Sequence, residues 1–201
     1  MPKGVKQMIY KERLIIPRNI ITRNLLSSTE FAVYLSMVDL YGAHDRKVLA
    51  TTSQIYYNLF YERDPAPTTI KEIDTAIKSL IKKKLVVGEK VQKGAFLIEC
   101  GSFYVDTSKL AYGFVVLDFA KVRKIMQQGG DKRTTKGLLL YYFELMSHMD
   151  ANGTCRKSLQ LFSENTGISV LTLSKYNGIL QKLELIRIQY NHRSTSTYFA
   201  T

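Results

Sequence analysis

The stretch TTIKEIDTAIKSLIKKKLVVGEKVQKGAFLIEC, residues 68–100, decides the fold that this sequence predicts. Its apolar residues recur at intervals of three and four, as Ile70, Ile73, Ile77, Leu80 and Ile81. This spacing predicts a helix with one apolar stripe, and its opposite face carries Lys71, Thr75, Lys78 and Lys82. Two apolar runs follow, residues 85–87 and 96–98, on either side of a turn-rich Gln-Lys-Gly. They predict a β-hairpin with a basic tip.

The same pattern occurs again about 100 residues later. The apolar positions of the first segment fall there on Val170, Leu173, Leu180, Leu185 and Ile186. A polar turn at residues 191–195 and a second apolar run follow, which predicts a second helix with a hairpin. Upstream, each copy also has an amphipathic helix, over residues 31–41 and 138–149, preceded by an extended stretch at 14–17 or 115–118. The matching order of elements indicates an internal duplication.

A helix followed at once by a hairpin is the ending of a winged helix-turn-helix. The predicted fold class is therefore α+β, with two winged helix-turn-helix domains in tandem, each a three-helix core with a β-hairpin wing. We expect the first domain at residues 14–107 and the second at residues 108–201. Residues 1–13 form either a solvated tail or a basic arm that lies along phosphates on binding.

Capping residues predict where the helices begin. Ser27 and Glu30 have the spacing of a capping box at the first helix. Residues 51–53 offer N-caps for a second helix, and Ser158 does so in the second copy. Thr134 or Thr135 is expected to cap the helix that opens the second copy.

Composition narrows the classes of partner. With 45% hydrophobic residues in 201, the chain can bury a core, and its formal net charge of +12 favours a polyanion, nucleic acid before a membrane surface. No apolar run approaches the length of a membrane span, and the start of the sequence lacks the apolar region of a signal peptide. We therefore expect a soluble, cytoplasmic protein that does not associate with membranes.

The sequence offers no recognisable catalytic or metal site. Its histidines stand in no ligand pattern, and the motifs of serine hydrolases, zinc proteases and phosphate-binding loops are absent. Cys100 and Cys155 are isolated from each other and from histidine, which predicts reduced thiols that serve in packing. We expect no enzyme activity, no metal and no cofactor.

The candidate DNA contacts lie on the two predicted recognition helices and their hairpins, because groove and phosphate recognition need exposed donors and acceptors. In the first copy they are Thr68, Thr69, Lys71, Thr75, Lys78, Lys82, Lys90 and Lys93. In the second copy they are Ser169, Thr172, Ser174, Lys175, Asn177, Gln181, His192 and Arg193. For each of these residues the alternative is an ordinary solvated surface. Stacking of single-stranded nucleic acid is not favoured, because Tyr56, Tyr57, Tyr141 and Tyr142 lie on apolar stripes and are expected in the core.

The pattern also resembles a known class of domain. Each copy has a short strand ending in Ile-Pro-Arg or Leu-Asp-Phe, then a helix opening STEFAVYLSM or TKGLLLYYFELM, a capped second helix, a recognition helix and a wing. This order of elements is similar to the winged-helix domains of plasmid and phage replication proteins from Gram-positive bacteria, including DnaD-type primosomal domains. The tandem arrangement resembles iteron-binding initiators. This resemblance implies a role in replication initiation and contact with replication machinery.

Three functions remain open from the sequence. The first is site-specific binding of double-stranded DNA in replication of a mobile element, and the second is a transcriptional regulator on the same fold. The third is an interaction or architectural module in which one winged helix has lost contact with DNA, which the acidic Glu72 and Asp74 on the first recognition helix would favour. Paired half-sites would also suit a homodimer.

Overall fold

The computed structural model of the protein describes residues 13–17, 26–42, 47–100, 113–128, 130–190 and 196–201. Within these ranges the chain is a mixed α+β structure with seven helices and small antiparallel sheets. The elements are β1 (Arg13–Pro17), α1 (Ser28–Tyr41), β2 (Lys47–Thr51), α2 (Thr52–Phe60), α3 (Pro67–Lys82), β3 (Gly88–Gln92), β4 (Ala95–Glu99), β5 (Phe114–Asp118), α4 (Phe119–Gln127), α5 (Lys132–Ser147), β6 (Thr154–Cys155), α6 (Leu159–Thr166), α7 (Val170–Lys182), β7 (Ile186–Tyr190) and β8 (Ser196–Ala200).

The order of elements repeats along the chain. A strand, a helix, a short strand, two helices and a hairpin run from β1 to β4, and the same order runs from β5 to β8 with α4 added after β5. The two three-stranded sheets also share one topology, β2-β4-β3 and β6-β8-β7, in which the short strand pairs with the last strand of the hairpin. The repeated order that the sequence predicts is therefore present in the described residues.

Helix starts follow the capping chemistry of the sequence in most cases. At α1 the Ser27 backbone amide donates to the Glu30 carboxylate at 2.7 Å and the Glu30 amide donates to Ser27 Oγ at 3.2 Å, so the predicted capping box is confirmed. Thr51 and Ser158 cap α2 and α6. The predicted cap of α5 is wrong, because Asp131 accepts from the first amides of that helix in place of either threonine.

The predicted strand at residues 85–87 is also wrong, because this segment closes α3. Lys84 has a left-handed φ of 58°, and the Leu85 amide turns back to donate to the Leu80 carbonyl at 3.0 Å. Glu184, with φ of 58°, and Leu185 make the same turn after α7. This is a Schellman ending, whose left-handed position usually holds glycine. The hairpin strand therefore begins three residues later than predicted, at Gly88.

The two halves are joined by equivalent elements. Strands β1 and β5 pair antiparallel, with Ile15 opposite Val116 at the centre. Helix α1 packs against α5, where the Phe31 and Phe143 rings meet edge to face with centroids 5.1 Å apart. Buried residues of both halves belong to one continuous cluster. Contacts between like elements are typical of a two-fold arrangement, here within one chain.

Three of the four tyrosines predicted in the core, Tyr56, Tyr141 and Tyr142, are buried, but Tyr57 is exposed.

Among the described residues no helix has the length and apolarity that crossing a membrane would require. The predicted boundary near Ser108 and the predicted arm up to residue 12 fall outside the described residues.

The left-handed ending of α3 gives a stability prediction. We expect Lys84→Gly to stabilise the protein by about 0.5–1 kcal/mol, because glycine adopts a positive φ without the steric cost of a Cβ. The matched control is Lys82→Gly in the last turn of the helix, which should destabilise by a similar amount because glycine is a poor helix former. Urea unfolding of the two variants measures both. Equal effects of the two substitutions would contradict the assignment.

Candidate nucleic-acid interface

Helix α3 presents most of its predicted contact residues to solvent. Ile73, Ala76, Ile77 and Leu80 are buried, so the apolar stripe faces the core. The opposite face is exposed at Thr68, Lys71, Thr75, Lys78 and Lys82, and Thr69 is half-buried. Proline at the first position and the preceding Asp64-Pro65 turn fix where the helix begins. Lys71 takes part in no ion pair in the described part of the chain.

Two of the predicted lysines of the first half are engaged by a carboxylate. Lys78 Nζ lies 2.5 Å from Oδ2 of Asp74, and Lys90 Nζ lies 3.5 Å from Oδ1 of the same residue. One acidic residue therefore connects the helix to its hairpin. Burial alone would raise the pKa of Asp74, but the hydrogen bonds and positive charges of Lys78 and Lys90 bring it below its ordinary value. Lys93 remains exposed at the hairpin turn. Part of the positive charge of this half is therefore neutralised within the protein.

A second acidic residue of α3 contacts the other half. The Glu72 carboxylate lies 3.0 Å from Nζ of Lys136, in the first turns of α5. The next residue on α5, Gly137, lies against Tyr176 of α7, so closely that a methyl group at that position would overlap the tyrosine hydroxyl. Helices α3 and α7 therefore both contact the start of α5.

A cleft of about 620 Å³ separates α3 from the start of α1. Most of its lining side chains carry a hydroxyl group or a charge, and Ala76 is the one small apolar residue among them. The lining residues are Ser27, Thr29, Glu30, Thr68, Lys71, Glu72, Thr75, Ala76 and Ser79.

Glu30 is the buried ionised group in the wall of this cleft. Besides capping α1, its Oε1 accepts a hydrogen bond from Ser79 and lies 2.6 Å from Nζ of Lys83. Burial opposes ionisation, but hydrogen bonds from Lys83, Ser79 and Ser27 outweigh it and lower the pKa of Glu30 from 4.5 to about 2. The charged carboxylate thus fixes the packing of α1 on α3.

Helix α7 carries the second predicted set. Ser169, Ser174, Lys175 and Gln181 are exposed, and Thr172 is half-buried beside the Ser169 cap. The predicted position of Asn177 on the solvent face is wrong. Asn177 is only 4% exposed, and its Oδ1 accepts a hydrogen bond from the Tyr141 hydroxyl of α5 at 2.6 Å. His192 and Arg193, predicted on the second hairpin, lie outside the described residues.

The sequence pattern did not predict that two apolar residues of α7 would be exposed. Leu171 is 71% exposed, and Val170, which the periodicity places on the apolar stripe, is 39% exposed. The signal for Leu171 was present in the alignment of the two copies, because Leu171 occupies the position of the exposed Lys71.

The remaining titratable groups serve the fold. Glu144 is fully buried in α5, where its Oε1 accepts from Asn165 of α6 at 2.6 Å and lies 2.9 Å from Nε2 of His148. Cys100 and Cys155 are buried free thiols, and burial raises the pKa of Cys155 to about 11. In the part of the chain that the structure describes, no three His, Cys, Asp or Glu side chains come together as a metal site.

No protein-family model matches the sequence, and no curated protein is detectably similar to it. The two exposed helices and their charges are therefore the features of the molecule that bear on its function.

The buried carboxylate gives a pH-dependent prediction. We expect Glu30→Gln to destabilise the protein by about 1–2 kcal/mol at pH 7, because the charge-assisted bonds from Lys83 and Ser79 are weakened. Since the pKa of Glu30 is lowered from 4.5 to about 2, its contribution is complete above pH 4.5 and disappears as pH falls through 2. Urea unfolding between pH 7 and pH 2 should show the gap to wild type closing. Glu89→Gln, on the exposed face of β3, is the control and should show no such gap.

The buried amide gives a second prediction. Asn177→Ala should destabilise by about 1–3 kcal/mol, because the Tyr141 hydroxyl loses its acceptor in the core. Adding Tyr141→Phe should recover part of this loss, since the unsatisfied hydroxyl is then removed. Thermal unfolding of the two single variants and of the double variant measures the coupling between Asn177 and Tyr141. Additive losses would argue against a hydrogen bond between the two side chains.

Proposed function

We propose that this protein binds double-stranded DNA through two winged helix-turn-helix units, residues 14–107 and 108–201, without enzymatic activity. The observation that carries the proposal is that α3 and α7, the last helix of each repeat, both expose polar faces and both contact the start of α5. Each is followed by a hairpin in a small sheet of the same topology, as in a winged helix. The net charge of +12 supports a polyanionic partner.

The two helices supply the chemistry that such binding needs. Lys71, Thr75 and Lys82 on α3 and Ser174, Lys175 and Gln181 on α7 are exposed. Lysines neutralise phosphates, and hydroxyl and amide groups bond to phosphates or base edges. If both units follow one duplex, a chain covers about 20 base pairs, two successive major-groove faces.

The biological role follows the resemblance to plasmid and phage replication proteins. We propose that the protein acts at a specific DNA site in the initiation or control of replication of a mobile element, with the replication machinery as a further partner. A transcriptional regulator on the same fold has the same DNA-binding surface. Repeated binding sites beside the gene favour initiation, and a single site over a neighbouring promoter favours regulation.

A specific observation favours the interaction module as second candidate. Glu72 is bonded to Lys136 of the other half, and Asp74 engages Lys78 and Lys90. The Asp74 contacts neutralise positive charge of the first half, and the Glu72 contact connects that half to the other. In this alternative the first unit serves assembly, and only the second contacts DNA.

The test is binding of the purified chain to a random duplex and to the DNA flanking its own gene, over a salt series. We expect affinity to fall steeply with salt, because bound lysines release counterions from the phosphates. Affinity for the flanking DNA should be higher by about a thousandfold or more if the protein recognises a site. Absence of binding to either duplex at low salt would overturn the proposal.

Single lysine variants locate the surface. Lys71→Ala and Lys175→Ala should each weaken binding by roughly 3–10-fold at moderate salt and lower the salt slope by about 1. Lys124→Ala on α4 is the matched control, since Lys124 is also exposed but α4 packs mainly against α2, α5 and β5. Loss for Lys175→Ala without loss for Lys71→Ala would favour the second candidate. Equal small effects of all three would contradict a defined surface.

A further inference from the structure

The two candidate helices differ in what they present at equivalent positions. Between residues 169 and 182 the second helix and its cap contain no aspartate or glutamate, whereas the first contains Glu72 and Asp74. The alignment of the copies places Leu171 where Lys71 stands and Gly178 where Lys78 stands. Helix α7 is therefore both more positive and more apolar on its exposed side.

The exposed face of α7 is a single stripe. Ser174, Lys175, Gly178 and Lys182 follow Leu171 by three, four, seven and eleven residues, so the five lie on one side of the helix. All five are exposed. The core contacts of α7 come from Leu173, Tyr176 and Leu180 on the other side, so packing does not account for Leu171.

Glycine at position 178 has no explanation within the fold. A Cβ built there would meet no atom within 4 Å, and its φ is not positive. Glycine inside a helix costs about 1 kcal/mol relative to alanine. Its effect is to leave the backbone of the helix bare at the middle of the exposed stripe, where a partner can approach closely.

Charge and shape together select the partner. Lys175 and Lys182 flank the bare backbone with no acidic side chain between them, which suits a phosphate-lined groove. Leu171 is the second residue of α7, and the first residues of a recognition helix are those that contact base edges. The apolar group that the major groove offers there is the methyl of thymine.

We propose that α7 is the helix that recognises bases, with Leu171 against the 5-methyl group of a thymine and Gly178 at the point of closest approach to the DNA, while α3 contributes mainly to phosphate binding. This inference depends on the proposed DNA binding and assigns its specificity to one helix.

Exchange of thymine for uracil tests it, since the two bases differ only in this methyl group. A duplex is first selected by the wild-type protein from a random 30-base-pair library, then made with either thymidine or 2′-deoxyuridine. Wild type should bind the uracil duplex about 5–10-fold more weakly. Leu171→Ala should lose a similar factor on the thymine duplex and show almost no further loss on the uracil duplex. Leu49→Ala, which truncates an exposed leucine on β2, is the matched control and should behave as wild type.

A second variant tests the close approach. Gly178→Met should fold with a thermal midpoint at or above that of wild type, because nothing lies near the added side chain. Its affinity for the selected duplex should fall by tenfold or more. Unchanged affinity would overturn the role assigned to Gly178.

The outcomes separate this inference from the proposed function. If the protein selects a site and uracil weakens the binding of wild type and Leu171→Ala equally, the thymine contact is overturned. The proposed DNA binding then still stands. Binding without any selected sequence likewise overturns base recognition alone. No binding to any duplex overturns both. Loss of self-association in Leu171→Ala, with DNA binding unaltered, would assign Leu171 to a protein contact and overturn the inference.

Discussion

The described fold depends on the packing of α1 against α5. In α1 every residue from 30 to 38 is buried, and in α5 every residue from 137 to 145. A helix that is apolar on all sides has to be covered on all sides. Helix α3 covers α1 and α7 covers α5, while the β1 and β5 pair adds a backbone connection between the halves. The orientation of the two outer helices is therefore set by how the two central helices cross.

Polar groups inside this core determine which helices pair. The Glu30 carboxylate joins α1 to α3, and the Glu144 carboxylate joins α5 to α6. The Asn177 amide joins α7 to α5. A buried charge or amide is costly without its partner, so each of these contacts disfavours a shifted arrangement in which the partner is absent. On α3, Asp74 and Glu72 pair with lysines, whereas α7 contains no acidic residue and its Lys175 and Lys182 form no ion pair within the described residues.

Local sequence patterns predicted the parts of this structure that local chemistry controls. Periodicity located α3 and α7, and the Ser27 cap located α1. The pairing of β1 with β5 was not predictable, because strands about 100 residues apart are brought together by tertiary packing that no local pattern encodes. The segment after α3 looked like a strand because Val86 and Val87 favour one, yet the Schellman turn uses Leu85 and Val86 to close the core. Asn177 lies at the border of the apolar stripe, where the period alone does not decide whether a side chain points inward.

The two halves differ at the contact between α1 and α3 in the first and between α5 and α7 in the second. In the first half Glu30 of α1 and Ala76 of α3 line one cleft, and in the second half Gly137 of α5 lies against Tyr176 of α7. In the second half the tyrosine fills the space that the glycine leaves. In the first half the large side chain is on the central helix, and the small Ala76 leaves the cleft beside α3. Both pairs of helices are in contact, although the larger side chain lies on α1 in the first half and on α7 in the second. The outer faces differ as well, because the exposed side of α3 carries paired charges and that of α7 carries an apolar and basic stripe without an acidic residue.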